Sequence, residues 1–203
     1  VRSADIATLL RIPLLMIAAY AIVIRANPVA VVVLMAFLFL SDAFDGYFAS
    51  VGKHSLSDLA SYLLHEATGR GKKRKFPKNV PGYAAYLDIG MDRLIEYVLW
   101  LLFTCLAILP ILVFIIVFLR NTLADSLVFR KRKTFSKMHS RFGNIASSHF
   151  SRGAYGALKA INFAYLALVV VAGWPVIVAY ALTVAVVAFS LARGAAEIYE
   201  AIT

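Results

Sequence analysis

An all-α integral membrane protein of six transmembrane helices, with both termini in the cytoplasm, is the fold class the sequence predicts. Three observations predict it. Hydrophobic residues make up 62% of the 203-residue chain and mean hydropathy is +0.80, against about 45–50% apolar residues in an ordinary soluble domain. Apolar runs near or beyond ~18 residues recur, the length at which a helix crosses the hydrocarbon core of a bilayer. Basic residues crowd into two loops that alternate with turns carrying few charges or none, the asymmetry expected of cytoplasmic loops.

The spans are expected at residues 6–24, 29–49, 83–109, 111–129, 152–172 and 176–191, the last with a short helical tail. The first run has no small-residue cleavage site and leads straight into the second, so it is expected to be a span and not a cleaved leader. Asn27-Pro28 makes the first turn, Pro110 ends the third span because proline cannot continue a helix interior, and Gly173-Trp174-Pro175 makes the last tight turn. The polar segment 50–81 carries Lys53, Arg70, Lys72, Lys73, Arg74, Lys75 and Lys78; the segment 130–151 carries Arg130, Lys131, Arg132, Lys133, Lys137 and Arg141. Both are placed in the cytoplasm. The net charge of +10 is accounted for by topology and anionic headgroups, or by a phosphate-bearing substrate, and calls for no nucleic acid. No internal repeat is evident, so 1–203 reads as one domain with a basic insertion at 51–81, within which LSDLASYLLHEA (56–67) has the pattern of an amphipathic surface helix.

Two acidic pairs stand out. Asp42 and Asp45, in SDAFDGYFAS (41–50), are three residues apart at the cytoplasmic end of the second span. Asp88 and Asp92, in YLDIGMDRLIEY (86–97), are four apart at the cytoplasmic start of the third. Each pair shares a helix face, and both lie at one membrane depth. Two readings are open: headgroup water and Arg93 solvate them, or they converge on divalent cations, which four clustered carboxylates need for neutralisation. Oxygen-only donors suit Mg²⁺, Mn²⁺ or Ca²⁺.

The string DAFDGYFA (42–49) followed by DIGMD (88–92) resembles the signature of the CDP-alcohol phosphotransferase family, D-x-x-D-G-x-x-A-R, a spacer, then G-x-x-x-D-x-x-x-D. TLLR (8–11) resembles that family's opening before the first span. The chain departs from the pattern at Ser50 (the family's arginine), at Ala84 (its second glycine) and in a spacer of 33 residues, 51–83, where the family's is short.

The resemblance implies an active site at the cytoplasmic ends of helices 2 and 3. It implies metal-dependent phospholipid biosynthesis, in which a CDP-linked lipid donor and a small water-soluble alcohol are joined with loss of CMP. Asp42, Asp45 and Asp88 would be ligands of Mg²⁺ or Mn²⁺, two ions in all. Asp92 would be the general base and a further ligand. Thr8, Asp42, Gly46, Ala49 and Ser50 would contact the nucleotide. A homodimer in the cell membrane, with the site facing the cytoplasm, is also implied.

Three cations suggest the acceptor. Arg120 interrupts the fourth span, and Arg152 and Lys159, seven apart on one helix face, open the fifth. Such side chains either snorkel to water or point inward and make a phosphate pocket. The pocket favours inositol phosphate or glycerol phosphate, and Asp92-Arg93-x-x-Glu96 resembles the inositol-phosphate branch. Asp125 is expected to pair with Arg120 or Arg130. His54, His65, His139 and His149 lack metal-ligand spacing and read as loop residues. Trp100, Phe103, Trp174 and Tyr180 read as packing or lipid-facing residues, and Cys105 as a small packing residue.

Two other classes are weighed. An aromatic prenyltransferase also clamps a diphosphate with aspartates, but needs more spans and a different first motif. A non-enzymatic cation carrier would place its carboxylates at the midplane on broken helices, where this chain places them at the edge.

Overall fold

The computed structural model describes residues 3–49, 58, 59, 61, 82–131 and 148–202. Six α-helices follow in order: α1 Ser3–Val23, α2 Pro28–Ala49, α3 Gly82–Cys105, α4 Ile111–Lys131, α5 His149–Ala172 and α6 Val176–Ile202. There is no strand among the described residues. The amphipathic helix expected at 56–67 and both basic loops fall almost wholly outside the described residues.

Local chemistry sets the helix ends. Asn27 caps α2, its Oδ1 accepting from Val29 N–H at 2.9 Å, so the Asn-Pro pair is a cap followed by proline at the first helical position. Ser148 caps α5 by accepting from Ser151 N–H at 3.1 Å, which starts that helix three residues earlier than its apolar run suggests. Two turns close with a residue in the left-handed region. Arg25, at φ 54°, donates to Ile22 O at 3.1 Å while Ala26 donates to Ala21 O at 2.9 Å. Ala107, at φ 57°, donates to Thr104 O at 2.9 Å while Ile108 donates to Phe103 O at 3.0 Å. This paired arrangement satisfies the last carbonyls of a helix. It ends α3 at Cys105, short of the expected Leu109, because the chain has reversed before Pro110 is reached. Gly173, at φ 66°, caps α5. The helical tail expected after Leu191 is present and runs without a break to Ile202.

α1 packs on α2, α3 and α5; α5 also packs on α2 and α6; α4 packs on α3 and α6. The centre is aromatic. The Phe163 ring lies 4.7 Å from Trp100, 5.9 Å from Phe39 and 6.2 Å from Phe103, centroid to centroid. Trp100 and Phe103 are therefore core residues, while Trp174 and Tyr180 face outward. Cys105 is exposed at the end of α3, not packed as expected, because the helix stops there.

The bundle presents apolar side chains outside as well as in its core. Large apolar side chains face outward on every helix, among them Leu10, Met16, Phe37, Leu101, Leu112, Ile161, Ile177 and Val184. Arg11, Glu96, Arg120, Asn121, Asn162 and Glu197 are buried. So many exposed apolar side chains suit contact with lipid or another apolar surface. Two stretches, Phe150–Ala172 and Val176–Tyr199, are long and apolar enough to cross a membrane. Six were expected; Thr8–Val23 and Pro28–Ser41 are apolar over a shorter described length, and α3 carries Asp92, Arg93 and Glu96 along its apolar run.

Ala107→Gly should raise stability by about 1 kcal/mol, since it relieves a left-handed residue with a side chain. Gly173→Ala should lower it by about as much, on backbone grounds alone, because nothing lies within 4 Å of the added methyl. Thermal unfolding of the detergent-solubilised protein measures both.

Candidate functional site

The site is built around one carboxylate. Glu96, on α3, is 1% exposed. Its Oε1 accepts from Trp100 Nε1 at 3.5 Å and from Tyr155 Oη at 3.4 Å. Its Oε2 accepts from Lys159 Nζ at 3.4 Å and from Asn121 Nδ2 at 3.5 Å. Arg93 Nη1 lies 3.5 Å from the same oxygen. Every one of these contacts is long for a hydrogen bond, so the carboxylate is held by many weak partners on α3, α4 and α5. Low dielectric strengthens such a network when each member is satisfied.

Two more pairs extend it. Arg93 grips Asp125 bidentately, Nε to Oδ2 at 2.8 Å and Nη2 to Oδ1 at 2.9 Å. Asp125 was expected on Arg120 or Arg130; Arg93 takes it because α3 and α4 pack side by side and a guanidinium fork matches a carboxylate. Arg120 instead donates from Nη1 to Asn121 Oδ1 at 2.8 Å and from Nη2 to Glu197 Oε1 at 3.1 Å, across to α6. Gly194 makes that reach possible: a Cβ there would overlap Arg120 Nε and lie 2.9 Å from its Cγ. Tyr155 carries two cations on its ring, Arg193 at 5.2 Å and Lys159 at 5.5 Å from the centroid.

Between α2 and this network lies a cavity of about 800 Å³. One wall, on α2, is apolar: Val32, Met35, Ala36, Phe39 and Leu40. The other carries Asp92, Arg93, Arg120, Arg152, Lys159, Arg193 and Glu197. The cavity runs along Val32–Leu40 in the first half of α2, past Arg120 at the middle of α4, and along the N-terminal half of α5 from Arg152 to Ala164, with Asp92 and Arg93 of α3 and Arg193 and Glu197 of α6 beside it. Arg120, Arg152 and Lys159 thus point inward and share one space with Asp92, whose Oδ1 is 2.8 Å from Arg11 Nη2.

Other expected site residues lie at its edge or beyond description. Asp42, Asp45, Gly46 and Ala49 are helical in the last turns of α2, and Asp88 in the first turns of α3; their side chains are outside the described residues, as is Ser50. Thr8 is buried in α1 and is not among the residues lining the cavity. Among the described residues no group of three His, Cys, Asp or Glu could hold a metal, three of the four aspartates being outside that set.

Sequence reasoning missed Arg11, Tyr155, Arg193 and Glu197, and saw Glu96 only as a branch marker. A signal existed. Ionisable residues inside an apolar helix are costly and seek partners, and Arg193 and Glu197 are one turn apart in what reads as the tail of the last span.

No protein-family model, no curated protein and no solved structure matches this chain.

Glu96→Leu should cost about 3–5 kcal/mol, because it leaves Lys159 and Arg93 short of a buried counter-charge. Lys159→Met in the same chain should recover part of that loss. Denaturant unfolding of the two single variants and the double variant measures the coupling.

Proposed function

We propose that the chain is a multi-pass membrane enzyme of phospholipid synthesis. It moves a phosphatidyl-type group from a CDP-linked lipid to a phosphorylated alcohol and releases CMP. In this reading all six helices cross the cell membrane, the cavity faces the cytoplasm, and the protein works as a homodimer. The observation that carries the proposal is the two-sided cavity. An apolar wall on α2 suits lipid chains, and a wall of five cations with Asp92 suits phosphates. The outward apolar faces of all six helices support the membrane placement.

Asp42, Asp45, Asp88 and Asp92 offer oxygen donors alone, in helical register on α2 and α3. That donor set fits Mg²⁺ or Mn²⁺, which would neutralise the donor's diphosphate. The rest falls to the chain's own side chains. Arg11 orients the Asp92 carboxylate. Arg120, Arg152 and Lys159 bind the acceptor's phosphate and aim its hydroxyl. The hydroxyl oxygen bonds to the lipid-linked phosphorus, the bond from that phosphorus to the oxygen of CMP breaks, and CMP departs with the electron pair. Asp92 accepts the hydroxyl proton.

The test is CMP release by purified protein from a CDP-linked lipid with Mg²⁺ or Mn²⁺, using inositol phosphate, glycerol phosphate, inositol and serine as acceptors. Metal-dependent release with a phosphorylated acceptor is expected; no release from folded protein with any of them contradicts the proposal. Asp92→Asn should lower kcat on the order of 10²- to 10⁴-fold. Arg152→Gln should raise KM for the phosphorylated acceptor about tenfold or more, as loss of a charge-assisted hydrogen bond requires, with a smaller change in kcat.

A further inference from the structure

Three cations of the cavity wall give their donors to the chain itself. Arg93 closes its fork on Asp125, Arg120 spends its two terminal nitrogens on Asn121 and Glu197, and Lys159 donates to Glu96. Arg193 is held differently. It lines the same cavity and is half-buried, yet it makes no hydrogen bond or ion pair with another described residue. Glu197 stands one turn further along α6 and gives its Oε1 to Arg120 instead. The Arg193 guanidinium carbon lies over the Tyr155 ring, 5.2 Å from its centroid. Its Nε is buried without a partner among the described residues, whereas its two terminal nitrogens stay accessible.

We propose that Tyr155 is a positioning residue for anion binding: its ring face holds the Arg193 guanidinium and leaves the terminal N–H groups of Arg193 for an oxyanion in the cavity. The inference rests on the reading of the cavity as a phosphate site and adds how one of the phosphate's donors is kept in place and kept unspent. A carboxylate would hold Arg193 through the same N–H groups that a phosphate needs. An aromatic face holds a cation through the ring quadrupole, so the guanidinium fork remains for a bidentate contact with the oxyanion. The ring is itself fixed at both ends. Its Oη donates to Glu96 Oε1 at 3.4 Å, and its centroid lies 5.7 Å from that of Phe189, one turn before Arg193 on α6. Tyr155 thus ties a cation on α6 to the buried carboxylate of α3. Lys159 also lies 5.5 Å from the Tyr155 centroid, but its ammonium is committed to Glu96, so the ring acts on a ligand through Arg193.

The experiment changes the electrostatics of the ring at nearly constant shape. The full chain is purified in an uncharged detergent, and calorimetry records its affinity for inorganic phosphate. Tyr155→Phe is the reference, and difluorophenylalanine and pentafluorophenylalanine are placed at the same position in turn. Fluorine drains the negative face of the ring, so phosphate affinity should fall in that order, about three- to tenfold from first to last. The same series in an Arg193→Gln background should be flat. A role confined to packing gives equal affinities across the series with Arg193 present, and that result overturns the inference. A slope that persists without Arg193 overturns it too. If the wild type binds no phosphate, the phosphate reading of the cavity fails and the inference with it; if the wild type binds phosphate and the series is flat, the inference alone fails. Should the fluorinated proteins not fold, a cycle of Tyr155→Leu and Arg193→Gln decides: losses of phosphate affinity that fall short of adding sustain the inference, and losses that add in full overturn it.

Discussion

Charge inside this bundle has to be neutralised by the chain itself. The outer faces carry many exposed apolar side chains, and Arg11, Glu96, Arg120 and Glu197 are buried inside, where a charge without a partner is costly. Glu96 is where that constraint is met. It draws partners from α3, α4 and α5 onto one carboxylate, and the Arg93–Asp125 and Arg120–Glu197 pairs carry the same logic to the rest of α4 and to α6. Such a network is poor evidence of net stability, since apolar replacements can be as stable. It is good evidence that particular side chains must stand in particular places. Arg93, Arg120 and Lys159 of the cavity wall are each held by a carboxylate of the chain, and pre-organisation of that kind is what an anion site needs.

The aromatic core and the polar network lie side by side in the bundle. Phe163, Trp100 and Phe103 fill the middle, and the three tight turns close one end. The cavity lies beside that core, with Phe39 belonging to both. Trp100 joins the two regions, packing on Phe163 with its ring and donating to Glu96 with its indole nitrogen. α2 contributes no charge to the cavity wall and α5 and α6 contribute most of it. The space is therefore amphipathic by construction, suited to a ligand with an apolar part and an anionic part.

How much of this was legible follows from what each residue answers to. Helix order and approximate length were legible, because long apolar runs punctuated by Asn27-Pro28, Pro110 and Gly173 respond to local rules. The end of α3 was not. Ala107 adopts a conformation that sequence assigns to glycine, and nothing local announces it. The helical tail of α6 beyond Leu191 was legible, but not that Arg193 and Glu197 within it line the cavity. The convergence of Arg120, Arg152 and Lys159 on Asp92's cavity could be anticipated, since a basic side chain in an apolar helix has few places to go. The choice of partners could not. Asp125 goes to Arg93 and not to its neighbours on α4 because of how two helices sit against each other, a tertiary fact. The second-span aspartates, Asp42 and Asp45, were picked out by their pattern, and they are helical in the last turns of α2.

The central claim is that those aspartates and the cationic cavity form one site. The most direct measurement is anomalous diffraction from crystals of the protein grown with Mn²⁺ and a CDP-linked lipid. The account predicts manganese between the C-terminal turns of α2 and the N-terminal turns of α3, within ligand distance of Asp42, Asp45, Asp88 and Asp92, and at the mouth of the cavity lined by Arg120, Arg152 and Lys159. Manganese bound elsewhere, or no ordered manganese with the nucleotide lipid in place, would contradict it.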